Sequence, residues 1–175
     1  MAIDKIQSES INLADNFAFT GTVTGAGGVN TPAFLAHSDG TQGSVSDSTW
    51  TKADLETEVF DTDNAFASSK FTVPSGEAGK YIFHFKVMSA GASAYQKTAY
   101  AKLTKNGSEL TNSGQYETVL FQESGVFNMD RVGIFGSAIL VLSAGDQIEL
   151  YGQADVESGS VNFYHAILMG YKLIE

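Results

Sequence analysis

The chain has 175 residues and a formal net charge of −10, with ten Lys plus Arg against twenty Asp plus Glu. This length suits one domain with a short extension, and the negative charge argues against nucleic acid or a membrane surface as a partner, because both are anionic. The sequence contains no Cys, which excludes disulfides and thiolate chemistry. Its first residues, MAIDKIQSES, lack the positive and apolar segments of a secretory signal, and no apolar run is long enough to span a bilayer.

The first thirty residues differ from the rest of the chain. Apolar side chains recur at alternate positions around Phe17 and Phe19, which is typical of a strand, and Gly25–Gly28 forms a flexible joint. This piece has too few apolar residues to fold alone, and it resembles short β-repeats of phage tail and fibre proteins. We therefore divide the chain into residues 1–30, an extended attachment or oligomerisation segment, and residues 31–175, a head domain. Phe17 and Phe19 are the predicted attachment residues, because leaving them in water is costly.

From Thr31 onward, short apolar strands alternate with turn signals, which predicts an all-β antiparallel sandwich with no helix. Asn106-Gly107 is a strong turn dipeptide, and Ser143–Asp146 is a second turn between two apolar strands. Ten strands are predicted, at Pro32–His37, Trp50–Leu55, Glu58–Phe60, Lys70–Val73, Lys80–Ser89, Thr98–Lys105, Gln115–Glu123, Arg131–Leu142, Gln147–Gln153 and Val161–Leu173.

The strand after the turn in FTVPSGEAGKYIFHF carries large aromatic residues at every second position. Side chains alternate between the two faces of a strand, so the aromatic row needs a deep partner surface on one side. This pattern predicts a central strand of the sandwich. The row consists of Tyr81, Phe83, Phe85 and Val87, and the opposite face carries Ile82, His84, Lys86 and Met88.

The run G-x-Y-x-F-x-F at Gly79–Phe85 resembles a motif of the globular head of complement C1q and its tumour-necrosis-factor-like relatives. Further matches follow the family's order and cover about residues 32–173. They are Pro32-Ala33-Phe34, Val59-Phe60-Asp61 with Phe66 and Phe71, Leu103–Gly107, Leu140–Ile148 and the closing stretch Phe163–Leu173. The resemblance implies a ten-stranded jelly roll that assembles as a homotrimer around a threefold axis.

The sequence also departs from the family pattern. The loop between Phe71 and Gly79 is longer than usual, the gap from Phe66 to Phe71 is shorter, and no collagen-like tract precedes the domain. These departures favour the bacterial and viral branch, in which such domains cap fibres or decorate particles. We therefore expect a non-enzymatic bacteriophage virion protein, assembled in the host cytoplasm.

This virion protein would form a trimeric tail-fibre or spike tip or a capsid decoration. Its expected partners are further copies of itself, other virion proteins and a host surface glycan. A secreted bacterial adhesin or lectin is the first alternative. A polysaccharide-degrading enzyme is the second, but the sequence contains no G-x-S-x-G elbow that would support nucleophilic catalysis.

The run Asp61-Thr62-Asp63-Asn64 is the candidate metal site. Oxygen ligands at alternate positions suit calcium, and some members of the resembling family bind it, so Asp61 and Asp63 are the candidate ligands. An EF-hand loop needs Gly at its sixth position, where this chain has Phe66, and a solvated turn is therefore the favoured interpretation. No other cofactor is expected.

The closing strand has apolar residues on both faces, whereas a strand with one wet face should alternate cleanly. The two-sided pattern predicts a subunit interface or, alternatively, a strand wholly inside its own chain. The predicted interface residues are Ile82, His84, Tyr164 and Leu168.

Aromatic side chains in loops are candidate ligand contacts, because loops commonly carry binding residues. The loop residues Tyr95 and Tyr116 are the candidates. His37, His84 and His165 are far apart in the sequence, and packed roles are favoured over a shared metal.

Overall fold

The computed structural model describes residues 30–92, 95–110 and 131–173, and within them the chain forms eleven strands and no helix. The strands are β1 (Ala33–His37), β2 (Gln42–Ser46), β3 (Thr51–Lys52), β4 (Thr57–Asp61), β5 (Phe71–Thr72), β6 (Gly79–Gly91), β7 (Gln96–Lys105), β8 (Ser108–Glu109), β9 (Val132–Leu142), β10 (Gln147–Val156) and β11 (Ser160–Lys172). Accordingly, the described residues contain no helix that could cross a membrane.

The strands form two antiparallel sheets with the core between them. One sheet has the order β4-β1-β11-β6-β9, with β2 also paired to β11, and the other has the order β3-β10-β7-β8, with β5 also paired to β10. The long strands β6 and β11 of the first sheet contact β10 of the second across the core. The predicted all-β antiparallel sandwich is confirmed.

Strand β6 is the central element, flanked in its sheet by β11 and β9. Its burial alternates residue by residue, with Phe83 fully buried and Phe85 only 4% exposed. The ring of Phe83 lies 5.7 Å from that of Phe71 on the facing sheet, in an edge-to-face arrangement. The predicted burial of the aromatic row is therefore confirmed.

Glycines on the two flanking strands make room for these rings. Gly170 of β11 pairs with Phe83, and Gly136 of β9 pairs with Phe85. A Cβ atom added at Gly170 would lie 2.6 Å from the Phe83 ring, and one added at Gly136 would lie 2.5 Å from the Phe85 ring. Both distances are far below van der Waals contact, so the two phenylalanines fill the space that the absent side chains leave.

Two strands were not predicted from the sequence. β2 has the composition QGSVS with a single buried apolar residue, Val45, and it exists because it pairs with the edge of β11. β8 is two residues long and closes the hairpin at Asn106-Gly107. The predicted strand Gln115–Glu123 lies outside the described residues.

A β-bulge interrupts the closing strand β11. Phe163 pairs with Ser89, and His165 pairs with the adjacent residue Met88, which leaves Tyr164 as an extra residue. An inserted residue reverses which side chains point inward, because the side-chain period of a strand is two.

This reversal corrects one predicted interface residue. Leu168 is fully buried in the core of its own chain, as are Phe163 and Ala166. The residues that face outward beyond the bulge are instead Ile167 and Met169, which are half-buried. The prediction that Leu168 lies at a subunit interface is therefore wrong, because a strictly alternating pattern ignores the bulge.

The predicted turn at Ser143–Asp146 is held by a carboxylate. Asp146 accepts hydrogen bonds from the Ser143 N–H at 2.7 Å and the Asn106 side chain at 2.8 Å, and the Lys105 ammonium lies 2.7 Å away. Burial alone would raise the pKa of Asp146, but these hydrogen bonds and the charge of Lys105 lower it to about 2. The two predicted turns are thus tied together through one ionised group.

The first testable prediction concerns the central aromatic row. Replacing Phe83 by Ala should cost about 3–5 kcal/mol of unfolding free energy, because the fully buried ring leaves a cavity. Urea unfolding followed by tryptophan fluorescence measures this cost. Tyr95→Ala is the matched control, since that aromatic ring is 47% exposed, and it should leave the midpoint nearly unchanged. An unchanged midpoint for Phe83→Ala would contradict the assignment of β6 as the central strand.

The second prediction concerns acid stability. Because the pKa of Asp146 is lowered in the folded state, its contribution is present above the unfolded value of 3.8 and is lost as the pH falls towards 2. The stability difference between wild type and Asp146→Asn should therefore be largest near neutral pH and should shrink between pH 4 and 2. Thermal melts across that range measure it, with Asp39→Asn as the exposed control. A difference that stays constant with pH would contradict the assigned role.

Candidate functional site: the outer face of the six-stranded sheet

One face of the six-stranded sheet points away from the core and is rich in apolar side chains. We call it the outer face and define it by the outward-pointing residues of β1, β4, β6, β9 and β11. Its large apolar members include Leu35, Phe60, Ile82, Met88, Phe135, Ile139, Val141, Ile167, Met169 and Tyr171. A contiguous apolar surface of this kind marks an interaction site more often than isolated exposed residues do.

The outward side chains of strand β9 form an exposed apolar ridge along one edge of the outer face. Phe135 is 72% exposed, Ile139 is 62% exposed and Val141 is 73% exposed. The alternate residues of the same strand are buried in the core, so β9 is apolar on both sides. A strand with water on one side would be polar there.

An open apolar groove of about 450 Å³ lies towards the opposite edge of the outer face. The groove lies over the adjacent strands β4, β1 and β11. Leu35 of β1 pairs with Met169 of β11 and with Phe60 of β4. Its lining residues are Asn30, Ala33, Phe34, Leu35, Phe60, Met169, Gly170 and Tyr171. The outer face thus carries a ridge near one edge and a groove near the other, separated by β6.

The strip of β6 between ridge and groove carries Ile82 and His84, both half-buried. His84 pairs with Ser137 of β9 and Met169 of β11, and Lys86 follows on the same face, opposite Phe135 and Ile167. On this face β6, β9 and β11 present no Asp or Glu. The centre of the outer face therefore combines apolar residues with one imidazole and one ammonium group.

The outward face of the five-stranded sheet is chemically different. Lys52 pairs with Glu149 at 2.7 Å, and Lys102 pairs with Glu109 at 3.5 Å while its ammonium group lies 3.9 Å above the centre of the Trp50 ring. These contacts satisfy the charged groups within the chain. Among the described residues, the exposed side chains Phe60, Phe135, Ile139 and Val141 belong to the six-stranded sheet.

The structure places the remaining predicted interface residue beside this region. Tyr164 lies at the bulge in β11, with the Arg131 guanidinium 4.2 Å from the centre of its ring. Ile82 and His84 lie on the outer face itself, so three of the four predicted residues are at or near it. Sequence reasoning missed the ridge of β9, although the uninterrupted apolar run Ala138–Leu142 was its visible signal.

The candidate metal ligands are engaged in organising a turn. Asp61 accepts hydrogen bonds from the Phe66 N–H at 2.7 Å and the Asp63 N–H at 3.3 Å, and the Thr62 hydroxyl donates to Asp63 at 2.6 Å. In the described ranges no group of three or more His, Asp or Glu side chains is arranged to hold a metal ion. Asp61 thus organises this turn by accepting hydrogen bonds from two backbone N–H groups.

The candidate ligand residues are only partly described. Tyr95 is 47% exposed and precedes β7, and its carbonyl accepts a hydrogen bond from the Glu157 N–H at 3.1 Å. Tyr116, Phe17 and Phe19 lie outside the described residues. Tyr95, the ligand candidate that the structure describes, does not line the apolar groove of the outer face.

Comparison with known proteins supports the fold. No protein-family model matches the sequence, and a search of curated proteins gives no significant match. Among solved structures, the chain is similar to the globular domain of zebrafish complement 1qA protein, with a TM-score of 0.53 and 19% identity. The match covers 81% of this chain and 97% of the zebrafish domain. At this identity the likeness establishes a jelly-roll sandwich of the C1q globular type.

Proposed function

We propose that this chain is a non-enzymatic structural and binding module whose head domain assembles as a homotrimer through the outer face. The observation that carries the proposal is the ridge of Phe135, Ile139 and Val141, which leaves three large side chains in water in a lone subunit. Fully burying one such side chain is favourable by about 1.5–3 kcal/mol. A surface of this kind is stable in solution when another copy covers it.

The positions of ridge and groove permit a ring in which the ridge of each copy contacts the groove of the next. They lie near opposite edges of one sheet face, because β9 and β4 are the two ends of the strand order. Contact between two different patches is heterologous, and repeated contacts of this type close into a ring when the rotation permits. The proposed number of subunits, three, comes from the resemblance of the sequence motifs to the C1q and tumour-necrosis-factor-like family.

The charge distribution is compatible with such an assembly. Three copies bring together a formal charge of −30, three times the −10 of one chain. Burying ionised carboxylates would be costly, but the outer positions of β6, β9 and β11 carry none. The acids of the described residues can remain in solvent while the apolar face is buried.

The third prediction tests the assembly with a single charge on the ridge. Phe135→Glu should convert the trimer to a folded monomer at micromolar concentration, because an ionised carboxylate would have to enter an apolar contact. Light scattering coupled to size-exclusion chromatography measures the mass. Ser158→Glu, in the exposed turn between β10 and β11, adds the same charge elsewhere and should leave the trimer intact. A wild-type chain that is a well-folded monomer would refute the assembly.

For the biological setting, we propose a bacteriophage virion, in which the head forms a fibre tip, spike or capsid decoration and residues 1–30 attach it. The support is sequence alone: the alternating apolar pattern around Phe17 and Phe19, the following glycine joint and the resemblance to phage fibre repeats. A host surface glycan is the partner proposed for the head.

The fourth prediction separates attachment from folding. Residues 29–175 alone should fold and assemble like the full chain, because the described core and the residues that line the groove lie within them. The truncated head should nevertheless be missing from purified particles, and the double change Phe17→Ala with Phe19→Ala should reduce incorporation in the same direction. Quantitative mass spectrometry of particles measures this. A truncated head that enters particles at the wild-type level would remove the attachment role.

A further inference from the structure

The outer face contains one feature that an ordinary apolar interface would not require. His84 occupies the middle of β6, the strand between ridge and groove, and every directly paired neighbour of His84 is uncharged. Its cross-strand neighbours are Ser137 and Met169. A neutral imidazole can be buried in such surroundings, but an imidazolium would lose its hydration without gaining an anion.

We infer that His84 makes the assembly sensitive to acid, so that protonating it in the free subunit opposes association. The inference rests on the proposed homotrimer and adds the regulation of the same face. Imidazoles ordinarily titrate at about pH 6.5. The change in association should therefore fall between about pH 5 and 8, where His is the one side chain that titrates when unperturbed.

The groups facing His84 include one cation and no carboxylate. On its own strand, Lys86 lies two residues away on the same face, roughly 7 Å along the strand, and adds a like charge. On β9 the outward neighbours of His84 are Phe135, Ser137 and Ile139, none of which titrates. On β11 they are Ile167, Met169 and Tyr171, of which only the Tyr171 phenol titrates.

The two other histidines of the chain lie at the periphery of the same face, where His37 pairs with Ile167 and His165 pairs with Met88. His37 lies at the end of β1, where its Nδ1 is 2.9 Å from the Ser38 carbonyl oxygen, and His165 is exposed at the bulge in β11. Either can keep a protonated ring in contact with water or with a carbonyl. Variants of these two peripheral rings therefore measure how much of an acid response arises outside His84.

The sign of the effect follows from linkage. If burial keeps the His84 ring neutral, the assembled subunit binds fewer protons than the free subunit. The association constant is therefore largest at pH values where a free imidazole is neutral, and it falls as the pH drops and free imidazoles become protonated. Between about pH 7.5 and 5.5 each subunit should contribute about a tenfold weakening, because a free imidazole passes from mostly neutral to mostly protonated over this range while a buried one stays neutral. Carboxylates remain mostly ionised over this range and contribute little.

The fifth prediction follows, tested by sedimentation velocity of the full chain at several concentrations at pH 7.5 and 5.5. Wild type should be trimeric at pH 7.5 and largely dissociated but folded at pH 5.5, with folding checked by circular dichroism. His84→Gln and His84→Leu should stay trimeric at both values, whereas His84→Lys should be monomeric at both. His37→Gln and His165→Gln should respond to acid as wild type does.

A second measurement keeps the inference falsifiable if the neutral variants assemble poorly. Calorimetric dilution of wild type near pH 6.5, in two buffers of different ionisation enthalpy, should show uptake of about half a proton per subunit on dissociation. No proton uptake, or a neutral variant that keeps the wild-type acid response, would overturn the inference. A trimer that ignores pH would refute only the acid response. A wild-type monomer at pH 7.5 would refute the assembly and the acid response together.

Discussion

The fold depends on the fit between two phenylalanines of β6 and two glycines on its neighbours. Phe83 and Phe85 occupy the space beside Gly170 and Gly136, where any side chain would collide with a ring. Because each flanking strand has a glycine opposite a β6 ring, the aromatic row of β6 can be buried in the core. The register of three adjacent strands is therefore fixed by one packing constraint, since a shift by one residue would exchange every inward and outward side chain.

Fixing the inner face also fixes what the sheet presents outward. Once the aromatic row points inward, Ile82 and His84 must point outward, and β9 must expose Phe135 and Ile139. The other sheet presents paired charges such as Lys52 with Glu149, so the two outward surfaces differ in chemistry. The apolar surface is a consequence of the same register that builds the core, and we propose that a second copy covers it.

Much of this could be predicted from the sequence, because local signals and packing agree around the aromatic row and at Ser143–Asp146. The prediction failed where tertiary contacts override local pattern. β2 has almost no apolar residues and is held by its pairing with β11. The bulge at Tyr164 exchanges the inward and outward side chains of the closing strand, so Leu168 points into the core. The outer face was predicted at Ile82 and His84, but its ridge and groove combine strands distant in sequence. No short-range pattern encodes that combination.

The central claim is that the ridge of one copy contacts the groove of another, and the absence of native Cys allows a direct test. Phe60→Cys with Ile139→Cys places thiols on β4 and β9, roughly 19 Å apart across four strand spacings. A bis-maleimide shorter than this separation can join them only between copies. On a denaturing gel the account predicts covalent products that end at three subunits, with at most dimers from either single variant. Monomers alone, or a ladder continuing beyond three, would contradict it.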